Sequence, residues 1–319
     1  MWCCLVGSEM CIRDSPRSAS LPTGSDAIAQ SLQLVKQQLR QLDRPVDSPQ
    51  RSVHQLRVAT RRASAALDLF SDSVRRKDHR RWKRRLKLIR KTAGQARDLD
   101  VLIERQQPQP QGDTSLLKQL RTQRRKAQKK LLRLQGRWEK GSPWSKQLKR
   151  LSKRLRSKAL PKKQGRKKTT HIPPVRNALE RFENRGRRPI RDLNALHDYR
   201  IQAKQLRYTL EWARPDLPKK PTTEVLKELK RIQNHLGAIN DHATAIAILS
   251  QEKKGLKKQL RREKRMLKLA FERWIEFWNP ERRLKFHANT RSLIQSQRSP
   301  VQPEPCLLYT SDAADDLRC

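Results

Sequence analysis

Two stretches of the chain place a histidine, a cation three residues on, and a second cation four residues beyond that. They are His54, Arg57 and Arg61, then His197, Arg200 and Lys204. At 100° per residue each trio falls on one narrow helical stripe. Arg offers phosphate a planar fork and Lys a point charge, and cations on successive turns stand about 5 Å apart along a helix axis. Several of them can therefore engage one flexible chain of phosphates, which presents closely spaced charge and no base edge to read. Arg62 and Arg207 add to the stripes, and Arg84 and Lys87 join the first one from the next basic segment. An offset of 143 residues carries that last pair to Lys227 and Lys230. These twelve residues are the expected anion-binding set.

The stripes need helices to present them. Val53, Leu56, Ala63, Leu67 and Phe70 form an apolar stripe beside the first trio, and Leu196, Tyr199, Leu206 and Leu210 form one beside the second. One face builds a core, and a neighbouring face displays imidazole and cations. Two other readings of the same residues stay open. His54 and His197 could be packing histidines inside a helical bundle, and Arg57 and Arg200 could pair with Asp98 and Asp241, which follow them at equal separation.

The echo extends further. Gly94-Gln95-Ala96-Arg97-Asp98 lies forty residues after His54, and Gly237-Ala238-Ile239-Asn240-Asp241 lies forty after His197, so one offset relates both motifs. Such agreement without an intervening insertion reads as an internal duplication. On these motifs, a His-x-x-Arg-x-x-x-Lys/Arg helix and a downstream Gly-x-x-Arg/Asn-Asp, each present twice, the chain resembles the CHAD domains (conserved histidine α-helical domains) from about Ser25 to Trp278. Positions eight and ten after the histidine, often cationic in that family, are Arg62 and Ser64 in one copy and Gln205 and Arg207 in the other. The resemblance implies a pseudo-symmetric pair of helical, four-helix-type bundles around a basic groove or pore. It also implies binding of inorganic polyphosphate and association with polyphosphate granules.

The two ends stand apart. Residues 306–315 back-translate naturally into a transposase mosaic-end sequencing adapter, and residues 5–14 fit its companion, so residues 1–15 and 306–319 are read as translated adapter. All five cysteines (Cys3, Cys4, Cys11, Cys306 and Cys319) fall in those ends. The body then has no thiolate metal site, disulfide or cysteine nucleophile, which fits a reducing cytoplasm. Setting the ends aside removes a net −3, so the formal charge of +44 becomes +47 for the body. Self-repulsion on that scale opposes compaction, and a polyanionic partner relieves it.

The remaining pattern is helical throughout, and the predicted fold is all-α. Helices are expected over 25–42, from about 50 to Ser71, over 74–91, from Arg97 onward after a break at Gly94, over 115–135 and over 143–157. In the second part they are expected over 192–213, over 224–236 with Thr222 or Thr223 as cap, over 240–250 after a break at Gly237, and over 256–278. Asp98 and Asp100 are expected in the first turn of a helix. Residues 16–160 are read as the first repeat with its following basic helices, 161–174 as a basic linker, 175–290 as the second repeat and 291–305 as a tail. Nucleic-acid binding is the alternative function, but Trp82, Trp212, Trp274 and Trp278 fit apolar faces rather than base-stacking positions. Catalysis is not expected. Phosphoryl transfer draws on carboxylates to hold Mg²⁺, and the one tidy pair, Asp98 and Asp100, maps onto Asp241 and Ala243. No cofactor, metal or membrane span is expected.

Overall fold

The apolar spacing is realised as ten helices in the described residues of a computed structural model, namely 24–42, 49–106, 114–140, 143–159, 172–187, 192–251 and 256–295. The adapter-like ends, residues 107–113 and most of the basic linker 161–174 lie outside them. In the first half α1 is Gly24–Gln41, α2 Pro49–Leu69, α3 Arg76–Gln106, α4 Thr114–Lys140 and α5 Pro143–Ala159. In the second, α6 is Ile172–Arg187, α7 Leu193–Ala213, α8 Lys219–Ser250, α9 Lys257–Phe277 and α10 Pro280–Gln295. A short 3-10 turn follows α2 at Ser71–Ser73, and another follows α7 at Arg214–Asp216. The α2-turn-α3 unit and the α7-turn-α8 unit thus keep the 143-residue offset to within one residue at every boundary. No strand occurs among the described residues, and no described helix is long and apolar enough to cross a membrane.

In the first half α1 packs on α2, α2 on α3 and α3 on α4, while α5 closes against both α4 and α1. In the second, α7 packs on α6 and α8, and α8 also carries α9 and α10. The two halves meet along a seam where α2 packs on α7 and α3 on α8. Both expected apolar stripes are core: Val53, Leu56, Ala63 and Leu67 are buried in α2, and Leu196, Tyr199, Leu206 and Leu210 in α7. Aromatic contacts finish each half. Trp82 meets Trp144 edge-on at 4.7 Å, and Tyr199 stacks on Phe182 at 4.6 Å. Such pairs add about 0.5–1.5 kcal/mol beyond their buried area.

Several sequence expectations are corrected. Gly94 and Gly237 lie inside continuous helices of 31 and 32 residues, not at breaks. An interior glycine weakens a helix by about 1 kcal/mol. The buried run Leu86, Ile89, Ala93, Ala96 and Leu102 outweighs that on α3, and Leu229, Ile232, Leu236 and Ile239 do so on α8. Asp98 and Asp100 accordingly sit far from a helix start. Helix α8 begins five residues before Glu224, directly after Pro218, so Thr222 and Thr223 are not caps. Their hydroxyls donate back to the carbonyls of Pro218 (2.6 Å) and Lys219 (2.8 Å). Helix α6 starts at Ile172, with Pro173 and Pro174 in its first turn, where a missing N–H does no harm.

Helix α10 was not anticipated. It buries Phe286, Thr290 and Leu293 against the second half. The Asn279 side chain accepts a hydrogen bond from the Arg282 N–H (2.9 Å), with Pro280 at the first helical position. Asn followed by Pro is a start signal that was present in the sequence.

Candidate functional site

Because α2 and α7 pack against each other, their cationic stripes converge on the seam. His54, Arg57 and Arg61 come from α2, Arg97 and Asp98 from α3, Arg200 and Lys204 from α7, and Asp241 from α8. Six basic side chains thus share one half-buried region with two carboxylates.

The crowding is visible in the proton affinities. Burial, then the charges of Arg97, Arg61, Arg57 and Lys204, pull the His54 imidazole down to about 4. Burial and the neighbouring Arg61 bring Arg57 down to about 10, with Asp98 opposing and Arg200 and Arg97 adding to the fall. Lys204 drops well below the usual ammonium range, through burial first and then Arg200, Arg61 and Arg57. Burial likewise lowers Arg200 against the support of Asp241. The Arg200 Nε is buried with no hydrogen-bond partner. On the acidic side, burial raises Asp98, and the like charge of Asp241 adds to the rise against Arg57. The anticipated ion pairs of Arg57 with Asp98 and of Arg200 with Asp241 are not among the ion pairs of the described residues. The two carboxylates act on the guanidinium groups through charge alone, opposing the fall at Arg57 and Arg200.

Gly94 has a local reason to be glycine. A Cβ placed there would lie 2.6 Å from Nη1 of Arg57, so the missing side chain makes room for that guanidinium. A Cβ at Gly237 would meet nothing within 4 Å.

The twelve expected residues do not all gather. His54, Arg57, Arg61, Arg200 and Lys204 form the cluster. His197 is exposed, and its Nδ1–H donates to Oδ1 of Asn240 at 2.8 Å. Asn240 stands where the first copy has Arg97, the cation with the largest charge effect on His54. Arg62 and Arg207 are drawn instead to Glu211, at 3.5 and 3.4 Å. The Arg62 carbonyl also accepts the Trp212 indole N–H at 3.0 Å, so these residues strut the two halves together. Arg84, Lys87 and Lys227 are exposed and Lys230 is half-buried, and none of the four is among the largest charges acting on the cluster. Arg97 was missed as a site residue, although its place in the Gly-x-x-Arg-Asp motif marked it.

A second link crosses the seam next to the cluster. Arg105 on α3 donates to His242 Nε2 on α8 (3.1 Å), and His242 Nδ1–H donates to the buried Glu263 on α9 (2.6 Å). Its counterparts at the offset would be Ile248 and Leu99, so this link occurs once. Among the described residues no group of three or more His, Cys, Asp or Glu is placed to hold a metal ion.

The family model for the CHAD domain matches residues 29–250. The chain belongs to the CHAD domain family. The match falls within the span expected from the doubled motifs. The fold is also similar to a crystal structure of the CHAD domain from the plant Ricinus communis, at 22% identity and a TM-score of 0.57 over 86% of this chain and 93% of that one. PptA from Streptomyces chartreusis is similar at 16% identity and a TM-score of 0.56, over 81% of this chain and 99% of that one. No curated protein matches the chain. Within this CHAD domain the cation cluster lies between the two motif copies.

Proposed function

We propose that this CHAD domain binds inorganic polyphosphate without chemically altering it, along the seam between its two halves. The observation that carries the reading is the crowding of Arg57, Arg61, Arg97, Arg200 and Lys204 around Asp98 and Asp241, where burial and then the neighbouring positive charges lower the proton affinity of Arg57, Arg200 and Lys204. Holding like charges together opposes folding, and a polyanion threaded among them reverses the sign of that contribution. The Arg200 Nε is a buried donor without a partner, which a phosphate oxygen entering the seam would satisfy. Burial of Trp82, Trp274 and Trp278 supports polyphosphate over single-stranded nucleic acid, whose binders present aromatic rings to the bases.

The role is binding rather than catalysis. Burial pushes Asp98, a carboxylate among the cations, toward its neutral form, which suits it poorly to hold a divalent cation for phosphoryl transfer. Such a protein would be retained on polyphosphate granules in the cytoplasm, and a fluorescent fusion compared between polyphosphate-replete and polyphosphate-depleted cells reports on that.

The direct test is affinity for medium-chain polyphosphate across a salt series, against charge-matched single-stranded DNA and RNA. The Arg57→Ala/Arg200→Ala variant runs alongside, with circular dichroism as the folding control. Each lost charge-assisted contact is worth about 1.5–3 kcal/mol, so the folded variant loses about a hundredfold or more. If all three polymers bind alike and the variant binds as well as the parent, the cluster is structural and the reading fails. Incubation of the protein with polyphosphate and Mg²⁺ should release no phosphate.

A further inference from the structure

The two halves do not close on each other in the same way at both ends of the α2–α7 contact. On one side Trp212 reaches across to the Arg62 carbonyl (3.0 Å), and Arg62 and Arg207 converge on Glu211. The 143-residue offset places Leu69, Asp68 and Gln205 where that side has Trp212, Glu211 and Arg62. The smaller Leu69 cannot bridge, and Gln205 brings no guanidinium to hold the carboxylate. Asp68 is drawn toward α3 instead, accepting from His79 Nε2 (3.2 Å) and from Lys83 Nζ (2.6 Å). On this side a cleft of about 410 Å³ is lined from α2 and its 3-10 turn, α3, α6 and α7. That volume lies within the range of about 300–1,000 Å³ usual for small-molecule sites.

The lining states what it would accept. Each oxygen of Asp68 is held by a basic partner on α3, so the one carboxylate in the lining has its charge offset by Lys83. Arg181, Asn177 and Gln205 contribute donors, and Arg181 makes no ion pair among the described residues. Pro174 and the 4% of Leu69 that remains exposed give the cleft an apolar edge that a bare inorganic anion would leave uncovered. A guanidinium fork matches phosphate oxygens in two parallel hydrogen bonds.

We propose that this cleft is a second ligand site, separate from the seam cluster, for a small phosphomonoester with an organic body such as a nucleoside monophosphate. The phosphate meets Arg181 and the amides of Asn177 and Gln205, and the organic part lies against Leu69 and Pro174. None of these five residues is among the twelve anion-binding candidates except by correspondence, since Gln205 stands where the first copy has Arg62.

The test is calorimetric titration of AMP into the full chain, with inorganic phosphate as the comparison. Saturable one-to-one binding of AMP is expected, at least tenfold tighter than phosphate. Arg181→Gln, at an exposed position, and Leu69→Trp, which imitates the closed side, each weaken AMP at least tenfold. Circular dichroism and retained polyphosphate affinity report that the variants are folded. The Arg57→Ala/Arg200→Ala variant keeps AMP binding, so failure of the seam reading and failure of this one remain distinguishable. Absence of AMP binding by the parent chain, AMP binding untouched by Arg181→Gln, or loss confined to the seam variant overturns the proposal.

Discussion

His54 and His197 occupy the same place in the same motif and live in different surroundings. His54 is half-buried among Arg57, Arg61, Arg97 and Lys204, while His197 is exposed and donates to the neutral amide of Asn240. The glycines of the downstream motif diverge in the same direction, with Gly94 pressed by Arg57 and Gly237 facing open space. The doubled spacing thus supports two different local jobs. The first copy concentrates charge, and the second contributes Arg200 and Lys204 to it while leaving its own histidine outside.

The largest expected contrast is in acid stability. His54 titrates near 4 in the folded chain and near 6.5 when unfolded. The unfolded state therefore binds the extra proton first, and stability that is present above pH 6.5 is lost as pH falls toward 4. The loss amounts to about 2–3 kcal/mol after allowing for partial solvent screening. Denaturant melts at pH 7.5 and pH 4.5 should show His54→Gln losing less than the parent over that interval, with His197→Gln behaving like the parent. Bound polyphosphate favours the charged imidazole, so affinity should rise over the same acid interval, and His54→Gln should flatten that rise.

Next comes Gly94→Ala. Its methyl group evicts the tip of Arg57, a flexible end that can swing away, so the fold survives while polyphosphate affinity falls about tenfold, the loss of one contact of roughly 1.4 kcal/mol. Gly237→Ala meets no obstruction and should leave binding unchanged, raising stability by about 0.5–1 kcal/mol through helix propensity. Equal behaviour of the two alanine variants would erase the distinction between the copies. The smallest effect belongs to Arg84→Ala/Lys87→Ala on the exposed part of α3. These changes should weaken binding less than threefold and lower the salt dependence slightly, because exposed cations are screened.

Much of this was readable beforehand. Leucine and valine spacing located α1, α2 and α7 because burial repeats with the helical period, and the buried Leu32, Leu56 and Leu206 occupy the expected faces. The glycines misled because propensity is a local quantity, whereas the packing that carries α3 past Gly94 comes from α2 and α4. Helix α10 was overlooked because its buried residues are sparse, and one of them is Thr290. At the candidate site, register correctly grouped Arg57 with Arg61 and Arg200 with Lys204. It also grouped Arg62 and Arg207 with them: the i,i+4 spacing of Arg207 and Glu211 was a local signal that went unused, while nothing local tells that Glu211 claims Arg62 as well. Lys204 acts on His54 from 150 residues away in the chain, a proximity created only when the halves meet.

The continuity of α3 through Gly94 has a metrical consequence. A helix rises about 1.5 Å per residue, so Arg84 and Arg97 are held about 20 Å apart along one rigid rod. At 100° per residue the two side chains also point about 140° apart around that rod, so a polyanion held at the seam as proposed must both run along α3 and wrap around it to touch Arg84.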